Sequence, residues 1–255
     1  MKRLERRVLG GAATIAAAVG AVLVPASAQA LGQYPTGTSG IDISYPSCSS
    51  TAPADADFGI VGVSGGRVYT ENSCAKAEAA HFANVSIYVN TGLVTTGNYF
   101  SQAMTYGNCG KDRSCGAYWY GYLAGVHAYN YAASQGLGTS ATWWLDVETT
   151  NTWNSQTALN NQSILGEHQA IADNTPATAT APRAVIGVYA RPGQWSKITG
   201  GGLKSHAWPV WYATGLQNQT STQLAGYCTQ SFTAAPVYIV QWIGSGYLND
   251  RDYGC

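Results

Sequence analysis

Two acidic residues near the middle of the chain have the spacing that acid–base chemistry needs. Residues 141–150 read ATWWLDVETT, an apolar run that ends in the D-x-E of Asp146 and Glu148. Side chains alternate along a strand, so Trp144 and both acids share one face, with the two acidic Cα atoms roughly 6.6 Å apart. Like charges this close push their pKa values apart, which favours one protonated and one ionised group. The alternative is a strand end whose acids only cap a loop or helix.

Strand ends elsewhere in the chain carry further polar and aromatic side chains. Short apolar runs predict seven strands, at residues 41–44, 58–63, 87–90, 141–150, 185–189, 210–213 and 237–242. Helical or loop segments separate these runs, so we expect a largely parallel α/β sheet. In a parallel barrel the C-terminal strand ends form the site. The side chains expected there are Asp42, Asn90, Asp146, Glu148, Tyr189, Tyr212, Gln241 and Trp242.

The segments between the strands give only approximate bounds for helices and loops. Helices are expected at residues 74–85, 118–135, 155–174 and 194–198, and the segment that holds Cys109 and Cys115 is expected to be a long loop. No G-x-G-x-x-G follows a strand, which argues against a dinucleotide site. Residues 62–66, GVSGG, match G-x-S-x-G, but the next expected helix begins only at residue 74, so the strand–turn–helix elbow of an α/β-hydrolase is not predicted.

The first 30 residues have the pattern of an export signal. A basic start is followed by a Gly/Ala-rich apolar stretch and the A-x-A of residues 28–30. This arrangement predicts a secretory signal peptide at residues 1–30, and the pair Arg6-Arg7 leaves the twin-arginine and general secretion routes both open. Residues 31–39 are expected to be a linker and residues 40–255 one domain. No later apolar stretch is long enough to anchor the mature protein in a membrane.

Composition narrows the functional class. The leader holds four of the 13 basic residues and one of the 13 acidic residues, so the mature chain carries a net charge of −3. That balance, without clustered Lys and Arg, argues against nucleic-acid binding. The 17 Tyr and eight Trp suit a protein that stacks on flat faces such as those of sugars, although most of these rings will fill a core.

Six cysteines lie beyond the leader, which in an exported chain indicates disulfides. Six cysteines allow 15 pairings. Proximity in the sequence favours Cys48–Cys74, Cys109–Cys115 and Cys228–Cys255. No Cys/His cluster has zinc spacing, so neither a metal nor a cofactor is expected.

Taken together, GIDIS at the first strand, WWLDVE in the middle and the late QW with an acidic tail resemble the glycoside hydrolases of family 25, the lysozyme family. The resemblance spans about residues 40–255 and implies a single-domain (β/α) barrel, TIM-like, with reduced helices. It also implies that the protein cleaves the glycan of peptidoglycan as a muramidase does. We expect the protein to be secreted and monomeric.

The resemblance also implies roles for individual residues. Glu148 matches the general acid, Asp146 its partner acid, and Asp42 the carboxylate at the floor of the site. Asp252 matches a late carboxylate, with Asp250 a rival for that place. The residues expected to bind substrate are Tyr189, Asn90, Trp144, Tyr212, Gln241, Trp242 and Asp252.

Several segments depart from the family pattern, namely SYPSCSS after the first strand, YVNTG at the third, and the short tail DRDYGC. These departures leave open a protein that binds a wall polysaccharide without cutting it. A secreted inhibitor or structural protein is the third alternative. The acids Asp42, Asp146 and Glu148 favour the enzyme, for which we expect Glu148 to donate the proton and Asp146 to stay ionised.

Overall fold

The computed structural model describes residues 34–48, 55–178, 181–244 and 250–255. The signal peptide expected at residues 1–30 lies outside the described residues. Within them, eight strands form a closed barrel in sequence order. Their bounds are β1 Ser39–Ile43, β2 Phe58–Gly62, β3 Val85–Asn90, β4 Thr142–Asp146, β5 Val185–Ala190, β6 Val210–Gln217, β7 Val237–Ile243 and β8 Asp250–Gly254.

The first seven strands are parallel, and β8 is antiparallel to both of its neighbours, β1 and β7. The predicted single-domain (β/α) barrel with a largely parallel sheet is therefore confirmed. The prediction of seven strands is wrong by one. Strand β8 was missed because DRDYG has no apolar run. Hydrogen bonds to strands on both sides hold it in place.

Six helices lie around the barrel in the described residues. Their bounds are α1 Ala75–Ala79, α2 Gly97–Tyr106, α3 Arg113–Ser134, α4 Thr157–Asn174, α5 Pro192–Thr199 and α6 Ser221–Tyr227. Helix α2 occupies part of the expected long loop, and α6 was not predicted at all. Helix α1 is shorter than the helix that composition predicted at residues 74–85. The family resemblance implied reduced helices in general.

Two local signals explain where the helices begin. The side chain of Asp112 accepts hydrogen bonds from the backbone N–H of Ser114 and Cys115, which starts α3 five residues before the predicted position. Thr220 and Gln223 form a capping box at the start of α6. Both signals are short polar patterns that apolar periodicity does not reveal.

Alternation along the strands divides the core into two layers. Trp144, Trp211 and Ile239 belong to a buried cluster that also contains Phe58 and Ile60 and fills the barrel. Their sequence neighbours, such as Trp143, Leu145 and Val240, pack outside the barrel against the helices. The expected division of faces along residues 141–147 is therefore confirmed. Tyr34, within the segment expected to be a linker, is buried in the inner cluster beside Phe58.

All three disulfides have the predicted pairing: Cys48–Cys74, Cys109–Cys115 and Cys228–Cys255. The first links the β1–β2 loop to the start of α1, and the second joins the loop after α2 to the first turn of α3. The third attaches the residue after β8 to the end of α6. Disulfides of this kind are compatible with an extracellular location. None of the described helices has the length and hydropathy of a membrane span.

Candidate active site

Five carboxyl groups converge at the end of the barrel where β1 to β7 finish. Asp42 is the penultimate residue of β1, Asp146 is the last residue of β4, and Glu148 lies two residues beyond it. Because β8 is antiparallel, its first residues lie at the same end, which brings in Asp250 and Asp252. The charges of Asp252, Asp250 and Glu148 all raise the pKa of Asp42, after burial as the largest cause. The structure thus brings the acids predicted from the sequence to one place.

A hydrogen-bond chain fixes Asp42 across the barrel. The Tyr189 hydroxyl donates to Gln241 Oε1 at 2.8 Å, and Gln241 Nε2 donates to Asp42 Oδ2 at 2.8 Å. The amide therefore has one orientation, since its oxygen accepts and its nitrogen donates. The bond to Asp42 favours the ionised carboxylate, but burial outweighs it and the pKa is raised well above its usual range.

Asp146 is buried, with 5% of its surface exposed. Asn90 Nδ2 donates to Asp146 Oδ2 at 2.5 Å, and Asn151 Nδ2 donates to the Asp146 backbone oxygen at 3.0 Å. Burial, then the charge of Glu148, raise the pKa of Asp146 well above its usual range, against the opposing hydrogen bonds of Asn151 and Asn90.

The expectation that Asp146 stays ionised remains a prediction, and the raised pKa of this carboxyl runs against it. It required hydrogen bonds to outweigh burial, and in this structure burial is the larger cause. Asp146 Oδ1 is also buried without a hydrogen-bond partner among the described residues.

Glu148 is more open than Asp146. It is partly exposed, and Thr150 Oγ1 approaches its Oε2 at 3.4 Å. The Trp153 indole N–H donates to the Glu148 backbone oxygen at 2.7 Å, which fixes the loop after β4. Burial raises the pKa of Glu148, and the Thr150 hydrogen bond and the Arg191 charge lower it in part. A carboxyl that keeps its proton to higher pH and can be reached from solvent has the properties of a general acid.

Asp252 and Asp250 lie at different depths. Asp252 is 2% exposed and accepts a hydrogen bond from the Trp211 indole N–H at 2.8 Å, whereas Asp250 is exposed at the mouth. Burial raises the pKa of Asp252 well above its usual range, Trp211 opposes this, and the charge of Asp250 adds to it. Asp252 therefore supports the floor of the site, and Asp250 is the one that faces an incoming ligand.

Replacing Asp252 by Asn should stabilise the protein at alkaline pH. The folded-state pKa of Asp252 is raised above its unfolded value, so its contribution to stability is present at low pH and lost as the pH rises through the folded pKa. Asn cannot ionise, and its side-chain oxygen can still accept the hydrogen bond from the Trp211 indole N–H. Urea unfolding should show a higher midpoint for Asp252→Asn than for wild type at about pH 8 and little difference at about pH 4. An equal difference at both pH values would contradict this account.

Three residues predicted to bind substrate lie elsewhere. Tyr212 points outward from β6 and packs against Tyr227 and Phe232. Trp242 follows the inward Gln241 and packs against the outer core. Trp144 does point inward, but it is completely buried below Asp146. Alternation explains the first two, since adjacent residues of a strand face opposite sides.

Two residues that belong to the site were missed. Trp211, next to the predicted Tyr212, holds Asp252. Tyr88 faces the same side as Asn90 on β3, and its ring centre lies 6.0 Å from that of Trp211. Burial and then the charge of Asp42 raise the pKa of Tyr88 well above its usual range. Its i, i+2 spacing from Asn90 was the available sequence signal.

A cleft of about 580 Å³ opens beside these carboxyl groups, between the loops that follow β2, β3 and β4. Thr150 and Asn151, which contact Glu148 and Asp146, form one edge. The cleft therefore reaches from the candidate catalytic acids outward along the surface. No group of three or more His, Cys, Asp or Glu within the described ranges is arranged to hold a metal ion.

Similarity to known proteins is confined to the fold. No protein-family model and no curated protein matches the chain. Among solved structures, the chain is similar to the modular Cpl-1 endolysin complexed with a peptidoglycan analogue, with TM-scores of 0.44 for a mutant form and 0.43 for the wild-type endolysin. Identity is 12% in both cases, over 86% of this chain and 54% of the other. The chain thus spans about half the length of these proteins. A likeness at this level carries no information on activity.

Proposed function

We propose that the protein is a glycoside hydrolase that cleaves a cell-wall glycan, in the manner of a muramidase. The observation that carries the proposal is the position of Glu148, a partly exposed carboxyl with a raised pKa beside four further acids at the mouth of a barrel. Glycosidic cleavage needs a protonated carboxyl at the leaving oxygen and negative charge near the sugar ring. The sequence resemblance described above favours peptidoglycan as the substrate.

In this mechanism Glu148 gives its proton to the leaving-group oxygen as the glycosidic C–O bond breaks, and water finally adds to the anomeric carbon and returns a proton to the site. Positive charge develops on the sugar as this bond breaks, and an opposite charge lowers the pKa of nearby carboxyl groups. Burial raises the pKa of Asp146, and the developing positive charge favours the ionised form of this carboxyl. Asp42, held by Gln241, and Asp250 at the mouth would add to the stabilisation. The negative charge would thus be strongest in the transition state, where it accelerates the reaction.

A second candidate function is binding of a wall glycan without cleavage. A working pair of acids usually has one member held ionised, and here burial raises the pKa values of both Asp146 and Glu148. If one carboxyl of the pair is never ionised while the other is protonated, the site would bind a sugar but would not cut it.

The test is release of reducing ends from purified bacterial cell walls and from a panel of soluble polysaccharides. We expect release from walls by the wild-type protein, and the same rate from Asp173→Asn. Asp173 is exposed near the C-terminal end of α4, at the opposite end of the barrel, so this variant is a matched control. Wall binding without release would support the second candidate. Neither binding nor release would overturn both.

A further inference from the structure

We propose that the 580 Å³ cleft beside Glu148 binds a negatively charged group carried by the glycan, and that Arg67 holds this group. This inference rests on the proposed function, because it names the chemical class of the substrate. In this inference the loops after β2, β3 and β4 bind the charged group, whereas the acids act on the glycosidic bond.

The cleft is built from loops that are joined to one another. The Leu93 N–H donates to the Thr152 oxygen at 2.8 Å, and Asn154 Nδ2 donates to Thr95 Oγ1 at 3.1 Å, which ties the β3 loop to the β4 loop. Leu93 is completely buried below. A site whose walls are fixed before binding loses less entropy when a ligand enters.

Tyr99 lines the cleft and stacks on Tyr69. The rings of Tyr69 and Tyr99 lie 4.0 Å apart at an angle of 3°. Tyr69 has a φ of 62°, a conformation that non-glycine residues rarely adopt, and its hydroxyl donates to the Tyr120 backbone oxygen at 2.7 Å. This arrangement holds Tyr99 at the cleft with 50% of its surface exposed. An exposed ring at the edge of a cleft offers an apolar platform for a sugar face.

Of the described residues that line the cleft, Arg67 alone carries a charge. Arg67 is exposed, and its guanidinium makes no salt bridge within the described part of the chain. An anionic ligand group in the cleft is attracted by the guanidinium of Arg67. This attraction would place a carboxylate of the glycan beside Arg67.

Binding can be measured without cleavage in the Glu148→Gln background. The probe is a peptidoglycan-derived tetrasaccharide with free lactyl carboxylates, compared with the same sugar after conversion of its carboxylates to amides. We expect Arg67→Gln to weaken calorimetric binding of the acid form about tenfold, the usual effect of losing one hydrogen bond to a charged group. Binding of the amide form should change less than twofold. Tyr99→Ala should weaken both forms equally.

Arg183→Gln serves as the matched control, since Arg183 lies before β5 at the opposite end of the barrel. Raising the salt concentration should weaken only the acid form. Unchanged binding of the acid form by Arg67→Gln, an equal loss for both forms, or no binding of either probe would overturn the inference. Arg67-dependent binding by a protein that releases no reducing ends would leave it standing and overturn the proposed hydrolase alone.

Discussion

Glu148→Gln is expected to lower turnover on a cleavable wall glycan by about 10²–10⁴-fold, the usual contribution of a general acid. Gln has nearly the same shape but has no proton to give. Glu148 lies beyond the end of β4 and is partly exposed, so the change removes little packing. Binding of the glycan and the thermal midpoint should therefore stay close to wild type. Initial rates of reducing-end release at saturating substrate measure the effect.

The pH dependence of the wild-type rate supplies an independent check. Activity requires a protonated Glu148, so the rate should fall as the pH rises through the raised pKa of this carboxyl. In Glu148→Gln, any residual rate should not show this fall with rising pH. A variant that keeps near-normal turnover would show that another group donates the proton, and Asp146 would be the next candidate because its pKa is also raised.

Removing the Cys228–Cys255 disulfide is expected to lower the free energy of unfolding by about 3.5 kcal/mol, from the loop entropy of its separation of 27 residues. Cys255 immediately follows β8, which carries Asp250 and Asp252 and pairs with β1 and β7. Loosening this strand should also lower the rate of cleavage, since both acids change position with it. Urea unfolding of Cys228→Ser/Cys255→Ser, with the rate measured on the same sample, tests both effects.

The Cys109–Cys115 disulfide, which closes a shorter loop, provides a comparison for the Cys228–Cys255 disulfide. Cys109 and Cys115 are six residues apart, for which the same relation gives about 2 kcal/mol. Cys109→Ser/Cys115→Ser should therefore destabilise the protein less. It leaves β8 in place and should keep the rate of cleavage at the acids. If both double variants lose the same stability and the same rate, β8 does not depend on its disulfide in the way proposed.

Much of the barrel follows from local sequence. Apolar runs such as FGIVG and VIGVYA are too hydrophobic for a surface strand and predict parallel strands covered on both sides. The three disulfide pairings agreed with sequence proximity, because each joins segments that adjacent elements bring together. The arrangement of Asp42, Asp146 and Glu148 at one end follows from parallel strands alone.

Other features depend on contacts between distant residues. Strand β8 exists because β1 and β7 offer free edges on both sides, and nothing within DRDYG indicates this. The inward residue of β6 is Trp211 and not Tyr212, and either register fits an apolar VWYA. The cleft combines three loops that the sequence separates by dozens of residues.

The sequence by itself determined the parallel barrel, the end of the barrel that carries the acids, and the pairing of the cysteines. These depend on periodicity and strand direction, which are local. The tertiary structure decided which acids are buried, and therefore how strongly burial raises the pKa of each. Asp146 and Glu148 are two residues apart with similar chemistry, yet one is 5% exposed and the other is partly open. Burial is the largest cause that raises the pKa of Asp146, and burial depends on the whole fold.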